Sequence, residues 1–229
     1  WCPPGMLGIG IGGTAEHCIK LAKQSLMEPI DMAQLKASAI GWERALIEPQ
    51  HVGPVSTLAY TASDGLEMDG ILTLPPGREP KNLPVVMLPH GGPHSHDIEG
   101  FDWWAQAYAS RGYAVFQPNF RGSTNRSESF VQAGYGEWGG KMQDDKDDGA
   151  LYLVEQGLVD PNRMAMFGWS YGGYAALVAA SRDPQIYQCV IAGAAVADAE
   201  KQYFGRRDPD LKALDEWSRR RGTIGINPI

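Results

Sequence analysis

The sequence predicts an α/β fold in which a mostly parallel sheet has flanking helices, preceded by a short helical N-terminal segment. Short apolar runs alternate with helical patterns from residue 84 onwards, as in parallel strands joined by right-handed helical crossovers. A G-x-S-x-G sequence at residues 168–172 stands between an apolar run and a helical pattern, which is the order of a tight strand-to-helix turn. Hydrophobic residues make up 43% of the 229 residues, so the chain can form a substantial core.

The first 48 residues differ in character from the rest of the chain. A glycine-rich run, residues 8–13, leads into an amphipathic helix predicted from Ala15 to Glu28. A second helix is predicted from Met32 to Leu46. We therefore predict two domains, an N-terminal segment of residues 1–48 and an α/β domain of residues 49–229.

In the second domain a hairpin is followed by alternating strands and helices. The turn sequence Ser63-Asp64-Gly65 separates the two strands of the hairpin. The acidic residues in the first turn of the helix predicted at 144–156 suit the positive end of a helix dipole. The predicted strands are residues 55–61, 67–74, 84–89, 113–117, 163–168 and 188–192, and the predicted helices are 101–110, 144–156, 173–181 and a polar one within 200–222.

Composition excludes several classes of partner. The formal net charge is −7 and the isoelectric point is about 5.2, which argues against nucleic acid or an anionic membrane as a partner. No 18-residue apolar run is present in the sequence, so we predict no membrane-spanning helix. The three cysteines, Cys2, Cys18 and Cys189, form neither a disulfide framework nor a C-x-x-C metal pair. Reduced cysteines favour the cytoplasm, whereas nothing in the composition indicates an oligomeric state.

The turn at Gly168-Trp169-Ser170-Tyr171-Gly172 carries the main chemical signal. Small flanking residues allow a tight turn that presents the serine hydroxyl for nucleophilic attack. Acyl transfer also needs two backbone N–H donors where negative charge develops. The amide of Tyr171, directly after the serine, is one candidate. The loop His90-Gly91-Gly92-Pro93, which follows a predicted strand, fits as the source of the second.

Other patterns allow alternative interpretations, each with a simpler structural explanation. A histidine-rich loop suggests a metal site, although a polar loop around the oxyanion turn is the favoured interpretation. A G-x-G-x-x-G pattern suggests a dinucleotide site, although no strand precedes it. Two aromatic pairs suggest pocket walls or core residues. The residues concerned are His90, His94, His96 and Asp97 for the metal, Gly8, Gly10 and Gly13 for the dinucleotide, and Trp103-Trp104 and Tyr203-Phe204 for the walls.

Seven short motifs follow one another in order along the second domain. They are residues 63–65, 72–75, 90–93, 119–123, 134–136, 160–163 and 168–174. With them the chain from about Val55 to Ile229 resembles the catalytic domain of the prolyl oligopeptidase family of serine peptidases. The resemblance implies an α/β-hydrolase fold, no cofactor and a peptide substrate, in the branch of acylaminoacyl- and dipeptidyl-peptidases. It further implies the following roles: nucleophile for Ser170, oxyanion donors for the amides of Tyr171 and Gly92, and walls of the substrate pocket for Val196, Tyr203 and Phe204.

The chain departs from this family in its histidines. The family uses a triad in the order Ser, Asp, His, with histidine as the base, whereas all five histidines here precede Ser170. We therefore expect a C-terminally truncated domain without the triad Asp and His. Loss of the base in a comparable triad lowers kcat by roughly a million-fold, so we predict little peptidase activity. An esterase of the same fold and a non-catalytic remnant are the alternatives.

The N-terminal segment resembles a different family. Its matching pieces are Cys2-Pro3-Pro4-Gly5, residues 8–14, Leu21-Ala22-Lys23 and Leu26-Met27. Over about residues 1–45 the chain is similar to class I fumarase and tartrate dehydratase, which are iron–sulfur hydro-lyases. This resemblance implies, as an alternative function, that Cys2 ligates a 4Fe-4S cluster. We expect a natural fusion, a mis-joined fragment or an engineered fusion with its junction between about Gly41 and Gln50.

Overall fold

The computed structural model describes residues 49–198. All of them belong to the second of the two units into which the chain divides, Pro49–Ile229. Some of the predicted features lie outside the described residues. These are the two N-terminal helices, the glycine pattern, the polar helix within 200–222, Cys2, Cys18, Tyr203 and Phe204.

A six-stranded sheet with the strand order β1-β2-β4-β3-β5-β6 forms the centre of the described part. The first two strands form the predicted antiparallel hairpin, and β2 also pairs antiparallel with β4. The pairs β3–β4, β3–β5 and β5–β6 are parallel, which confirms a mostly parallel sheet. The strands are Val55–Thr61 (β1), Glu67–Thr73 (β2), Leu83–Met87 (β3), Ala114–Asn119 (β4), Val159–Trp169 (β5) and Cys189–Gly193 (β6).

Four α-helices flank the sheet in the described residues. The Asp102 side chain caps the first helix by accepting hydrogen bonds from the amides of Trp104 and Ala105. The second helix has five residues and was not predicted, because so short a segment carries no helical period. The third begins three residues before its predicted start. The helices are Trp103–Ala109 (α1), Glu128–Gln132 (α2), Lys141–Glu155 (α3) and Tyr171–Ser181 (α4).

Strand β5 is longer than the predicted 163–168. It begins at Val159, which pairs with Leu83 of β3 before a register shift, and pairing resumes between Met164 and Val85. Pro161-Asn162, which precede the predicted strand, form this irregular part of β5. A bulge accommodates proline inside a strand because the missing N–H is not needed there.

Apolar side chains of the sheet and helices form two core clusters. The main core cluster includes Met142 and Leu153 of α3 and Ala175 of α4, together with sheet residues such as Met87. A smaller cluster, Leu88, Ala105 and Val115, lies under α1.

Parallel strands place their carboxyl ends at the same edge, where α/β proteins bind ligands. The loops after β3, β5 and β6 therefore meet at this edge.

No helix between residues 49 and 198 has the length and apolar character needed to cross a membrane.

Candidate active site

Ser170 forms the sharp turn between the end of β5 at Trp169 and the start of α4 at Tyr171. Its backbone has φ +59° and ψ −116°, a conformation that costs free energy for any residue with a Cβ. The backbone N–H of Ser170 donates to the carbonyl of Gly193, at 3.0 Å, which ties the turn to the end of β6. A strained serine between a strand and a helix is the geometry of a nucleophile elbow.

The glycines of the elbow are required by close backbone contacts. A Cβ on Gly168 would lie 2.1 Å from the carbonyl oxygen of Gly172. A Cβ on Gly172 would lie 2.2 Å from the carbonyl oxygen of Pro89 in the loop after β3. Any larger residue at either position would separate these segments. The G-x-S-x-G pattern is therefore a steric requirement of this turn.

The loop after β3 lies directly beside Ser170. A Cβ on Gly91 would be 3.5 Å from the Cβ of Ser170 and 3.3 Å from the carbonyl oxygen of Trp169. Gly92 has φ +122°, which favours glycine. The amide of Tyr171 is the first of α4, where a backbone N–H has no partner within the helix. The two predicted oxyanion donors, Tyr171 and Gly92, thus lie on the two segments that adjoin the serine.

The side chain of Tyr171 anchors the first turn of α4. Its ring is only 1% exposed and lies 4.7 Å from the ring of Trp138 and 5.5 Å from that of Phe120. Its hydroxyl group contacts the sulfur of Met142 at 3.6 Å. This packing holds the backbone amide of Tyr171 in place.

His90 supports the loop and is not available as a metal ligand. Its ring stacks on Phe120 at 4.4 Å, and burial lowers its pKa to about 4, so the ring is neutral at pH 7. Its Nδ1 lies 2.7 Å from the carbonyl oxygen of Gly91 and its Nε2 lies 2.9 Å from Ser123 Oγ. The carbonyl of Gly91 only accepts and so favours a proton on Nδ1, whereas the Ser123 hydroxyl, which donates to the carbonyl of Phe120 at 2.7 Å, favours a proton on Nε2.

The metal interpretation finds no support in the described part of the chain. Both nitrogens of His90 are engaged, and His96 Nδ1 lies 2.9 Å from the hydroxyl of Thr124. Residues 49–198 hold no group of three or more His, Cys, Asp or Glu side chains placed to bind a metal ion. The histidine-rich sequence thus forms a polar loop beside the elbow.

A cavity of about 350 Å³ opens next to the elbow. Trp169 and Gly91, which both adjoin Ser170, line it together with the predicted aromatic pair Trp103-Trp104. Val196 follows β6 at the same edge of the sheet and is half-buried, but it is not one of the lining residues. Its role as a wall of the substrate pocket stays a prediction.

Two carboxylates also line the cavity, those of Asp97 and Asp102, and sequence reasoning had placed Asp97 only in a metal site. Burial and the nearby charge of Asp102 raise the pKa of Asp97 to about 7, although a hydrogen bond from the Gln117 side chain lowers it. Asp97 Oδ2 is buried and has no hydrogen-bond partner among residues 49–198. A buried carboxylate oxygen without a donor is unusual, because the desolvation of such a group is costly.

An ion-pair cluster centred on Arg121 lies beneath the site. The guanidinium donates to both carboxylate oxygens of Asp145, at 2.7–3.0 Å, and to both of Asp64, at 2.9 and 3.0 Å. Asp145 is fully buried, whereas Asp64 is partly exposed. The hydrogen bond from Arg121 lowers the pKa of Asp64 to about 2. Arg121 and Asp64 lie in two of the seven ordered motifs, but the sequence does not indicate that they pair.

Lys146 is a buried cation under the elbow. Its side chain is 0% exposed, and Nζ lies 3.7 Å from the centre of the Phe120 ring and 5.2 Å from that of Tyr171. Nζ donates to the carbonyl of Met142. Burial lowers the pKa of Lys146 to about 7, because removal from water disfavours the ammonium.

Replacing Lys146 by methionine is expected to stabilise the folded chain below pH 7. Burying an ion costs several kcal/mol even after relaxation, so an apolar side chain of similar size should raise the free energy of unfolding by about 2 kcal/mol. Between the folded pKa of about 7 and the ordinary value of 10.5, the native state binds fewer protons than the unfolded state. Wild-type stability therefore gains as pH rises through this window, and the advantage of the variant shrinks.

Urea unfolding at pH 6 and pH 9 measures this difference. The matched control is Lys141→Met, because Lys141 is half-exposed and pairs with Asp64 only at 3.6 Å; its change stays below about 1 kcal/mol at both pH values. An advantage of Lys146→Met that is equal at pH 6 and pH 9 would show that the charge of Lys146 is not its cause.

Comparison with known proteins bears out both resemblances seen in the sequence. A family model described as the prolyl oligopeptidase family matches residues 99–222, and one described as fumarate hydratase matches residues 1–53. Among curated proteins, the chain is similar to dipeptidyl aminopeptidase BIII of Pseudoxanthomonas mexicana, with 37% identity over 153 residues. The match covers 64% of this chain and 22% of that relative, so the chain spans about a fifth of the relative's length.

Solved structures show the same similarity. Dipeptidyl peptidase 4 of Porphyromonas gingivalis matches with a TM-score of 0.59 and 30% identity, over 64% of this chain and 21% of that one. An acylaminoacyl peptidase in complex with Z-Gly-Gly-Phe-chloromethyl ketone matches with a TM-score of 0.65 and 25% identity, over 83% and 29% of the two chains. Together with the observed sheet, these matches confirm the predicted α/β-hydrolase fold.

Proposed function

The chain belongs to the prolyl oligopeptidase family of serine peptidases, and we propose that Ser170 is the nucleophile of peptide-bond hydrolysis. The observation that carries the proposal is the strained backbone of Ser170, at φ +59° between β5 and α4. Strain of this kind persists where the surrounding structure imposes it, typically at functional sites. Here the contacts of Gly168 and Gly172 and the hydrogen bond to Gly193 impose it.

The proposed reaction proceeds through an acyl-enzyme. Ser170 Oγ attacks the carbonyl carbon of the scissile bond, and the amides of Tyr171 and Gly92 hydrogen-bond the resulting oxyanion. The C–N bond then breaks, the amine leaves with a proton, and water hydrolyses the ester on Ser170. The attack needs a base for the hydroxyl proton. No histidine follows Ser170 in these 229 residues, and the hydrogen bonds of His90 hold it in its own loop, so we expect slow attack by this polypeptide.

The names of the relatives favour small peptide substrates. The matched proteins are a dipeptidyl aminopeptidase, a dipeptidyl peptidase and an acylaminoacyl peptidase. We propose a substrate of the same class, a peptide cleaved near its N-terminus. Val196, Tyr203 and Phe204 are the proposed pocket residues, of which Val196 alone lies within the described residues.

Reaction with a biotinylated fluorophosphonate tests the nucleophile. Ser170 Oγ would attack phosphorus, fluoride would leave and the hydroxyl proton would go to a base. We expect an adduct on Ser170, located by peptide mass spectrometry, that forms slowly and about tenfold faster when imidazole is added as an external base. This gain is far below the roughly 100- to 10,000-fold effect of a positioned base. The same chain unfolded in urea serves as the control and should not react.

Two outcomes would contradict the proposal. A folded chain that forms no Ser170 adduct, with or without imidazole, would favour a non-catalytic remnant. An adduct spread over several serines would show that the elbow confers no special reactivity. An esterase of the same fold would give the same adduct; acylation of Ser170 by p-nitrophenyl acetate but never by a dipeptide p-nitroanilide would favour that alternative.

The match of residues 1–53 to fumarate hydratase supports a second candidate function. Under it, Cys2 contributes a ligand to an iron–sulfur cluster of a hydro-lyase. Cys2 lies outside the described residues, so this stays a prediction from resemblance. Iron and sulfide analysis of the purified chain tests it: a stoichiometric cluster lost in Cys2→Ser would support it, and an iron-free, colourless protein that also fails to take up iron and sulfide would end it.

A further inference from the structure

The cavity beside the elbow has aromatic walls that remain largely exposed. Trp103 and Trp169 remain 66% and 55% exposed, although large aromatic side chains are usually mostly buried. Trp104 holds them in place: its ring stacks on Phe167 at 4.2 Å and meets the rings of Trp103 and Trp169 nearly perpendicularly at 4.9 and 6.0 Å. Tryptophan faces attract cations more strongly than those of other side chains.

The acidic side chains of the cavity have no cationic partner within its lining. Asp97 and Asp102 both line it, and none of its described lining residues is lysine or arginine. His90 is the titratable base among them, and its pKa of about 4 leaves it neutral at pH 7. Asp102 Oδ1 is used in capping α1, whereas Asp97 Oδ2 is buried without a donor among the described residues.

We propose that this cavity is a subsite for a cationic group of the substrate, an alkylammonium or a guanidinium. A cation there would lie against the indole rings and pair with Asp97, which gives the buried Oδ2 a partner. The volume of about 350 Å³ is near the lower end for small-molecule sites. It suits one aliphatic chain with its charged end.

Because of its position, the proposed cation subsite would influence which substrates are accepted. Gly91 and Trp169 form part of its wall and also adjoin Ser170. A group bound there belongs to a residue close to the scissile bond. The inference rests on the proposed function, because it takes Ser170 as the atom that the substrate approaches.

Three small probes separate the sources of the charge. N-acetyl-lysine amide carries only a side-chain ammonium, norleucine amide carries only a terminal ammonium, and N-acetyl-norleucine amide is neutral with a similar shape. Binding of each to the 229-residue chain is measured by calorimetric titration at a pH of about 7, where the terminal ammonium remains largely protonated. We expect one of the cationic probes to bind at least about tenfold more tightly than the neutral probe. The cationic probe that binds more tightly shows whether the subsite takes a side-chain cation or a terminal ammonium.

Matched variants locate the binding. Asp97→Asn keeps the size of the side chain and should weaken the preferred cation about tenfold, as loss of a charged hydrogen bond does. Glu155→Gln makes the same carboxyl-to-amide change at an exposed end of α3 and should leave the affinity unchanged. If Asp97→Asn does not fold, Trp103→Leu, at an exposed position, should weaken cation binding severalfold.

Equal binding of all three probes would overturn the inference, as would equal weakening by Asp97→Asn and Glu155→Gln. The fluorophosphonate reaction of the same wild-type preparation is read separately. A Ser170 adduct without a preference for cations would contradict the subsite alone. Cation binding without an adduct would contradict the proposed nucleophile and leave a cation-binding cavity.

Discussion

Replacing Ser170 by glycine is expected to abolish the fluorophosphonate adduct and, at the same time, to make the folded chain more stable. Ser170 has φ +59°, and such a backbone costs about 1–3 kcal/mol for a residue with a Cβ. Glycine adopts it at little cost. The greater freedom of glycine in the unfolded chain, however, lowers the free energy of unfolding by about 0.4–1 kcal/mol. The free energy of unfolding should therefore rise by about 1 kcal/mol, while the predicted nucleophile is lost.

Ser170→Ala is the matched control for this gain. Alanine keeps the Cβ and hence the strain, but it lacks Oγ, so we expect no adduct and a stability within about 0.5 kcal/mol of the wild type. Urea unfolding followed by fluorescence measures stability, and mass spectrometry measures the adduct. If the glycine variant were no more stable than the alanine variant, the elbow would not be strained. If either variant still reacted, the nucleophile would lie elsewhere.

The elbow could be predicted from the sequence because its determinants are local. The steric need for Gly168 and Gly172 arises within a single strand-to-helix turn and the adjoining loop, and the apolar run before Ser170 marks the strand. The approach of the Gly91-Gly92 loop follows from one further step, since parallel strands end at the same edge. For the same reason the hairpin and most of the alternating strands and helices were predicted to within three residues of their ends, α2 and the start of β5 being the exceptions.

The rest of the site depends on contacts between residues far apart in sequence. Asp145 was interpreted as one of several acids that favour the start of a helix, but it is fully buried and paired with Arg121, 24 residues away. Periodicity distinguishes a buried face from an exposed one only when the buried face is apolar. The burial of Asp97 and Lys146 could not be predicted either, because side chains from other elements determine their environment. The cavity likewise has no signal in the local sequence.

Replacing Arg121 by methionine is expected to cause the largest loss of stability. The substitution removes the guanidinium that donates to Asp145 at 2.7–3.0 Å and leaves that buried carboxylate with the backbone N–H of residue 121 as its remaining donor in the cluster. Removing one partner of a buried ion pair costs about 3–5 kcal/mol, a large fraction of the stability of a domain. Urea unfolding at pH 8 measures this loss. Arg163→Met, which removes a half-exposed pair with Asp160, should cost less than about 1 kcal/mol.

The pH dependence separates an unpaired charge from a simple packing defect. In the Arg121→Met chain, burial raises the pKa of Asp145 and no guanidinium opposes it, so the native state binds a proton that the unfolded state releases above pH 3.8. The variant therefore loses stability as pH rises, and its deficit relative to the wild type should be smaller at pH 5 than at pH 8. Adding Asp145→Asn should restore part of the stability at pH 8, because the amide is neutral and still accepts from the backbone. A deficit that is the same at both pH values, and that Asp145→Asn does not reduce, would mean that Arg121 contributes by packing and not by its charge.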